Sequence, residues 1–233
     1  VKPSLVILHG ALGCAEQFRE WKNFLDGKYE CHLFNFPGHG SRSNEPVEFS
    51  IENFSNELGK YIQERKLEKP HVLGYSMGGY IALCFALKDG ASLGKIVTIA
   101  TKFDWNPETA NKEAGYLEPN IIENKIPQLA IQLKERHGDH WKNVTERTAA
   151  MMRGLGENPL LTTENIKIVD NQVRFCVGDK DKMVGVQETF SMYRNATNAS
   201  FCVMPDTAHV PEKMSLQRIS YELDEFFFPD KIQ

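Results

Sequence analysis

The segment Gly74-Tyr75-Ser76-Met77-Gly78-Gly79 places one serine among glycines, where an apolar run ends and a helical pattern of small residues begins. A chain that turns directly from strand into helix leaves no room for side chains beside the turn. Glycine is required there, and the central hydroxyl is pushed outward at the strand's end. Such a serine is placed to attack, although the same six residues also suit a tight turn with no chemistry. The GxxxxGK[ST] pattern of phosphate-binding loops is absent. At its ordinary pKa a hydroxyl is a poor nucleophile. Attack therefore demands a base, an acid to orient that base, and donors for the charge that develops on the oxygen of the attacked group.

The chain offers each of these. His209, in the segment MPDTAHVPEKM, follows the last apolar run and is the candidate base. The other six histidines are read as structural or surface residues: His9 and His39 lie in glycine turns, His32 and His71 in strands, and His137 and His140 in a polar stretch. Asp181, in VGDKDKMV, is the candidate acid. Asp179 competes as its near neighbour, with a turn-forming role after Gly178 as its plain reading, and Asp104 competes because it follows the run KIVTIA. In His9-Gly10-Ala11-Leu12-Gly13 the glycines let the backbone turn, so that the Ala11 N–H can join the Met77 N–H as a pair of oxyanion donors. Cys14, next to that turn, is a small residue that borders the site and has nothing to make it a nucleophile.

These groups must be carried by elements that converge. Short β-rich runs at Leu5 to His9, Cys31 to Phe36, His71 to Tyr75, Lys95 to Ala100, Gln172 to Val177 and Ser200 to Met204 alternate with helical patterns. That alternation is the form of a parallel sheet with crossover helices. Apolar stripes at helical spacing, such as Ile51, Phe54, Leu58, Tyr61 and Ile62 behind the N-cap Ser50, read as core faces. A further stripe, Met214, Leu216, Ile219, Leu223, Phe226 and Phe227, closes the chain. From about Phe103 to Asn165 the alternation stops, and helix-like patterns broken by Pro107, Pro119, Pro127, Gly138, Gly154, Gly156 and Pro159 take over. A structureless loop of that length is improbable in a compact domain, so a helical insertion is expected. The expected organisation is a core of residues 1–102 and 166–233 with an insertion of residues 103–165.

Composition narrows the partners. The 233 residues are 41% hydrophobic and 25% charged, as in ordinary soluble domains, and no apolar run is long enough to span a bilayer. A net charge of −4 carries no basic footprint for nucleic acid, so a small molecule is the expected partner. Five scattered cysteines, with no CxxC pair and no metal-type spacing, read as reduced thiols of a cytoplasmic protein. The triplets starting at Asn143, Asn195 and Asn198 match the glycosylation pattern and are taken as chance, since no signal peptide is read ahead of them.

HGALG, FNFPGHGSRS, GYSMGG, VGDKDKMV and TAHVPEKM, in this order and at these spacings, resemble the α/β-hydrolase superfamily over nearly the whole chain. The resemblance implies a mostly parallel, doubly wound α/β sheet of about six strands with a small helical cap at the insertion. It also implies a triad of Ser76, Asp181 and His209, with Ala11 and Met77 as oxyanion donors and no metal or organic cofactor. The order Ser, Asp, His is the one expected on that scaffold. Two departures stand out: only four residues precede Leu5, so the family's frequent leading antiparallel strands are not expected, and Ala208 stands where glycine is often found. The implied activity is hydrolysis of a small-molecule ester or related acyl substrate. A lyase or carbon–carbon hydrolase with the same triad, or a ligand receptor with little turnover, are the alternatives. Within the insertion, Trp105, Tyr116, Leu117, Trp141, Met151, Met152 and Leu155 are candidates for an acyl pocket, with packing expected for most of them. Its basic residues, interleaved with acids, read as a solvated face.

Overall fold

The computed structural model describes residues 2–228. Six strands, β1 (Ser4–Leu8), β2 (Glu30–Phe34), β3 (His71–Tyr75), β4 (Ile96–Ile99), β5 (Val173–Gly178) and β6 (Ala199–Met204), form one sheet in the order β2-β1-β3-β4-β5-β6. Every pairing is parallel. A parallel sheet is stable only with both faces covered, and the strands alternate their apolar side chains accordingly. In β1, Val6 and Leu8 enter the core on one face, while Leu5 and Ile7 enter the core on the other.

The first face is covered by α2 (Ile51–Glu64), α3 (Met77–Asp89) and α8 (Val186–Asn195), the second by α1 (Arg19–Leu25) and α9 (Leu216–Phe227). Ser50 caps α2 as its residue type predicts, its side chain accepting from Asn53 N–H at 3.1 Å. In α9 the stripe is slightly shorter than the sequence pattern, because Met214 precedes the N-cap Ser215. In α3, residues Met77 to Ala86 are buried on every side, which identifies it as the central helix of the fold.

Between β4 and β5 lie four α-helices and no strand: α4 (Pro107–Gly115), α5 (Pro119–Lys125), α6 (Pro127–His137) and α7 (Trp141–Glu157). Pro107, Pro119 and Pro127 each open a helix, where a missing N–H costs nothing, whereas Pro159 lies just beyond the end of α7. No helix among the described residues is long and apolar enough to cross a membrane.

The strand order reverses at β1 and β3. From β1 the chain moves outward to β2, and from β3 it proceeds the other way. In open parallel sheets the crevice beyond the strand ends at such a reversal receives ligands. The turns that leave β1 and β3 carry HGALG and Ser76 respectively.

Candidate active site

β3 ends at Tyr75 and α3 starts at Met77, so Ser76 alone makes the turn between them. Its backbone is at φ 50°, ψ −118°, a conformation that costs a non-glycine residue about 1–3 kcal/mol and persists only where the surroundings enforce it. They do so here from both sides: Ser76 N–H donates to Ile99 O at 2.8 Å, and Ser76 O accepts from Gly79 N–H and the Thr101 hydroxyl, each at 3.0 Å. The glycines make the close approach feasible. A Cβ at Gly78 would lie 2.5 Å from Leu8 O, and one at Gly79 would collide with the Thr101 hydroxyl. The Ser76 hydroxyl itself makes no hydrogen bond to any described residue.

The carboxylate and the imidazole meet each other, and the imidazole lines the same cavity as Ser76. His209 Nδ1 lies 2.8 Å from Asp181 Oδ2, and the other carboxylate oxygen accepts from the N–H groups of Met183 (2.8 Å) and Val184 (2.9 Å). Burial pushes the Asp181 carboxyl up. The bond and charge of His209, with the two backbone N–H groups, outweigh that and hold it below the usual carboxylate range. A carboxylate at Nδ1 fixes the proton there and leaves Nε2 as the basic nitrogen. Neither competitor reaches the imidazole: Asp179 accepts from Thr207 N–H at 3.2 Å, and Asp104 is exposed and bonded to Asn106. The Tyr75 hydroxyl donates to His209 O at 2.6 Å and so ties the histidine loop to the elbow. Sequence reasoning missed both Tyr75 and Thr101, whose partners lie far along the chain.

At the other turn, Gly10 O accepts from His9 Nδ1–H at 2.8 Å and from Gly13 N–H at 3.1 Å, while His9 Nε2 accepts from Phe36 N–H at 3.1 Å. Both ring nitrogens are engaged, and the ring is neutral, with burial lowering its pKa to about 4. In a planar trans peptide the N–H points away from the C=O, so fixing Gly10 O aims the Ala11 N–H in the opposite direction. No described residue accepts from the Ala11 or Met77 N–H, and Ala11, Met77, Ser76 and His209 all line one cavity of about 220 Å³.

Trp105, Leu117, Met151, Met152 and Leu155 also line this cavity, more of the insertion's apolar residues than packing alone predicts. Trp141 is buried elsewhere, and Tyr116 is exposed. Most of the insertion's basic residues sit on a solvated face, with Lys142 paired to Glu123 and Arg153 to Glu118. Arg136, paired to Glu212 at 3.4 Å, reaches the cavity wall, and Arg147 is half-buried with its guanidinium 4.0 Å over the Phe49 ring. Cys14 borders a surface groove instead, and burial pushes its thiol up to about 11. Among the described residues no group of three or more His, Cys, Asp or Glu side chains is arranged to hold a metal ion.

Comparison with known proteins places the chain in a family. The pimeloyl-[acyl-carrier protein] methyl ester esterase of Nitrosospira multiformis is 30% identical, over 90% of this chain and 88% of its own. The 2-succinyl-6-hydroxy-2,4-cyclohexadiene-1-carboxylate synthase of Photorhabdus laumondii is 26% identical, over 78% of this chain and 72% of its own. The crystal structure of NosK from Streptomyces actuosus superposes with a TM-score of 0.85 at 17% identity, covering 99% of this chain and all of that one, and so shares the fold. The sequence model for the alpha/beta hydrolase fold matches residues 3–143, more than half of the chain, and to that family the protein belongs.

Proposed function

We propose that the protein is a serine hydrolase that cleaves a small carboxylic ester or related acyl compound through an acyl-enzyme. His209 Nε2 takes the proton from the Ser76 hydroxyl as Ser76 Oγ attacks the acyl carbon. Asp181 holds the imidazole in the required tautomer and stabilises the imidazolium. The N–H groups of Ala11 and Met77 accept the charge that develops on the carbonyl oxygen. The proton then passes to the leaving alcohol, and His209 activates water to release the acid and restore Ser76.

The single observation that carries this reading is an unbonded serine hydroxyl, on a strained and fully enforced backbone, lining the same cavity as an imidazole oriented by a satisfied carboxylate. Similarity to an ester esterase over nearly the whole chain supports it. In this reading residues 103–165 form a cap over the sheet's C-terminal edge. The cavity is smaller than the roughly 300–1,000 Å³ of drug-sized sites, and its wall is mainly apolar, which favours a short acyl or alkyl group.

Hydrolysis of p-nitrophenyl esters of increasing acyl length, by the wild type and Ser76→Ala, tests the proposal. Turnover should be highest for short chains and fall at least about a thousandfold in Ser76→Ala. A wild type that neither hydrolyses any ester nor reacts with a fluorophosphonate contradicts it. Labelling of Ser76 without ester turnover would instead favour carbon–carbon cleavage or lyase chemistry, towards which the similarity to the Photorhabdus synthase points.

A further inference from the structure

His137 closes α6, in the middle of the inserted helices, yet it is only 1% exposed. Its ring bridges two loops of the sheet edge. Gly40 N–H donates to Nδ1 at 3.1 Å, and Nε2 lies 3.0 Å from Leu12 O. An Nδ1 that accepts carries no proton, so the proton is on Nε2 and is donated to Leu12 O.

Leu12 follows Ala11 directly and sits at φ 57°, where a γ-branched residue is strained. The turn therefore needs hold from outside. His9 fixes its entrance through Gly10 O, and His137 is the only described residue that bonds its exit at Leu12 O. The two rings work in the same way, each neutral and each engaging both nitrogens, but one belongs to β1's own turn and the other to the inserted helices. Loss of His137 leaves a strained residue with a free carbonyl next to the N–H that the reaction uses, and leaves the Gly40 N–H buried without its acceptor.

We infer that His137 is a positioning residue for the oxyanion turn, through which the helical segment completes the geometry of Ala11 N–H. The inference rests on the hydrolase reading above. It predicts that the segment acts on the chemical step as well as on substrate fit, because His137 touches the turn and does not line the cavity.

The test is steady-state hydrolysis of p-nitrophenyl butyrate by His137→Ala, His137→Leu and His137→Gln, with thermal melts as folding controls. His137→Ala should lower kcat roughly 10- to 100-fold with KM within about twofold, because a displaced oxyanion donor costs the transition state and not the ground state. His137→Leu, which fills the space without donating or accepting, should behave like His137→Ala and stands in for it if the alanine variant does not fold. His137→Gln, whose amide both donates and accepts, should recover most of the loss. An unchanged kcat in either apolar variant, a change confined to KM, or a His137→Gln no better than His137→Leu would overturn the inference while leaving the hydrolase reading intact. That reading fails separately, if Ser76→Ala is as active as the wild type.

Discussion

The C-terminal edge of the sheet and the helices that cover it solve different physical problems. At the edge, geometry is written in backbone: Ser76 at φ 50°, Leu12 at φ 57°, and glycines whose missing Cβ atoms let β1, β3 and α3 approach to near contact. Nothing there can slide without breaking several hydrogen bonds at once. Of the covering helices, α4 to α6 are short and each opens on a proline, and the longer α7 and the loop before α4 contribute Met152, Leu155 and Trp105 to a cavity wall. Side chains of that kind are exchangeable at modest cost. In the proposed function, chemistry is lodged where conformation is over-determined, and selection where volume is adjustable. His137 is the contact by which the second region reaches into the first.

That division sets the scale of substitutions. The largest effect belongs to the edge: Asp181→Asn keeps the shape of the carboxylate but loses its charge and disturbs the imidazole tautomer. Its kcat should fall by about three to four orders of magnitude, while Asp104→Asn stays near wild type. The reverse pattern in ester hydrolysis would move the acid to the β4 side and undo the division.

Next comes acid sensitivity of the same edge. His9 is neutral down to about pH 4 in the fold, but an unfolded chain protonates it near its ordinary 6.5. The unfolded state then binds the extra proton between these values. The stability that His9 contributes is complete above about pH 6.5 and declines as the pH falls towards 4, by of order 3 kcal/mol. Burial lowers His39 and His137 as well, which adds to the same slope. Urea unfolding at pH 7.5 and 4.5 should show the loss, and His9→Gln should flatten it. A pH-independent midpoint in the wild type would mean that these rings are not held neutral.

Tyr75→Phe removes only the 2.6 Å bond to His209 O. A neutral hydrogen bond contributes about 1 kcal/mol, so a severalfold drop in kcat with little change in KM is expected. The smallest effect on chemistry should come from the cover. Leu155→Ala enlarges the cavity and should shift preference towards longer acyl chains, with kcat on the best substrate within a few-fold of wild type. A hundredfold loss of kcat there would show that the cover holds the chemistry as firmly as the edge does.

The same contrast explains what could be read in advance. HGALG, GYSMGG and the alternating β-rich runs are local signals, because a strand's periodicity or a glycine turn depends on neighbours a few residues away. They located all six strands, and they named Ser76 and His209, which line one cavity, and Asp181, which bonds the His209 ring from behind. The contacts that escaped are non-local. Thr101 meets Ser76 across 25 residues, His137 meets Leu12 across 125, and Tyr75 meets His209 O across 134. His137 carried no pattern to distinguish it from the polar stretch around it. Only the docking of α6 onto the glycine turns makes it a buried bridge.

The most direct test of the central claim is an acid quench of the enzyme within its first turnovers of p-nitrophenyl butyrate, followed by mass spectrometry of its peptides. A butyryl mass increment is expected on the peptide that contains Ser76; it should accumulate further in His209→Ala with a more reactive ester and be absent in Ser76→Ala. Ester turnover with no increment on that peptide, and full activity in Ser76→Ala, would contradict the claim.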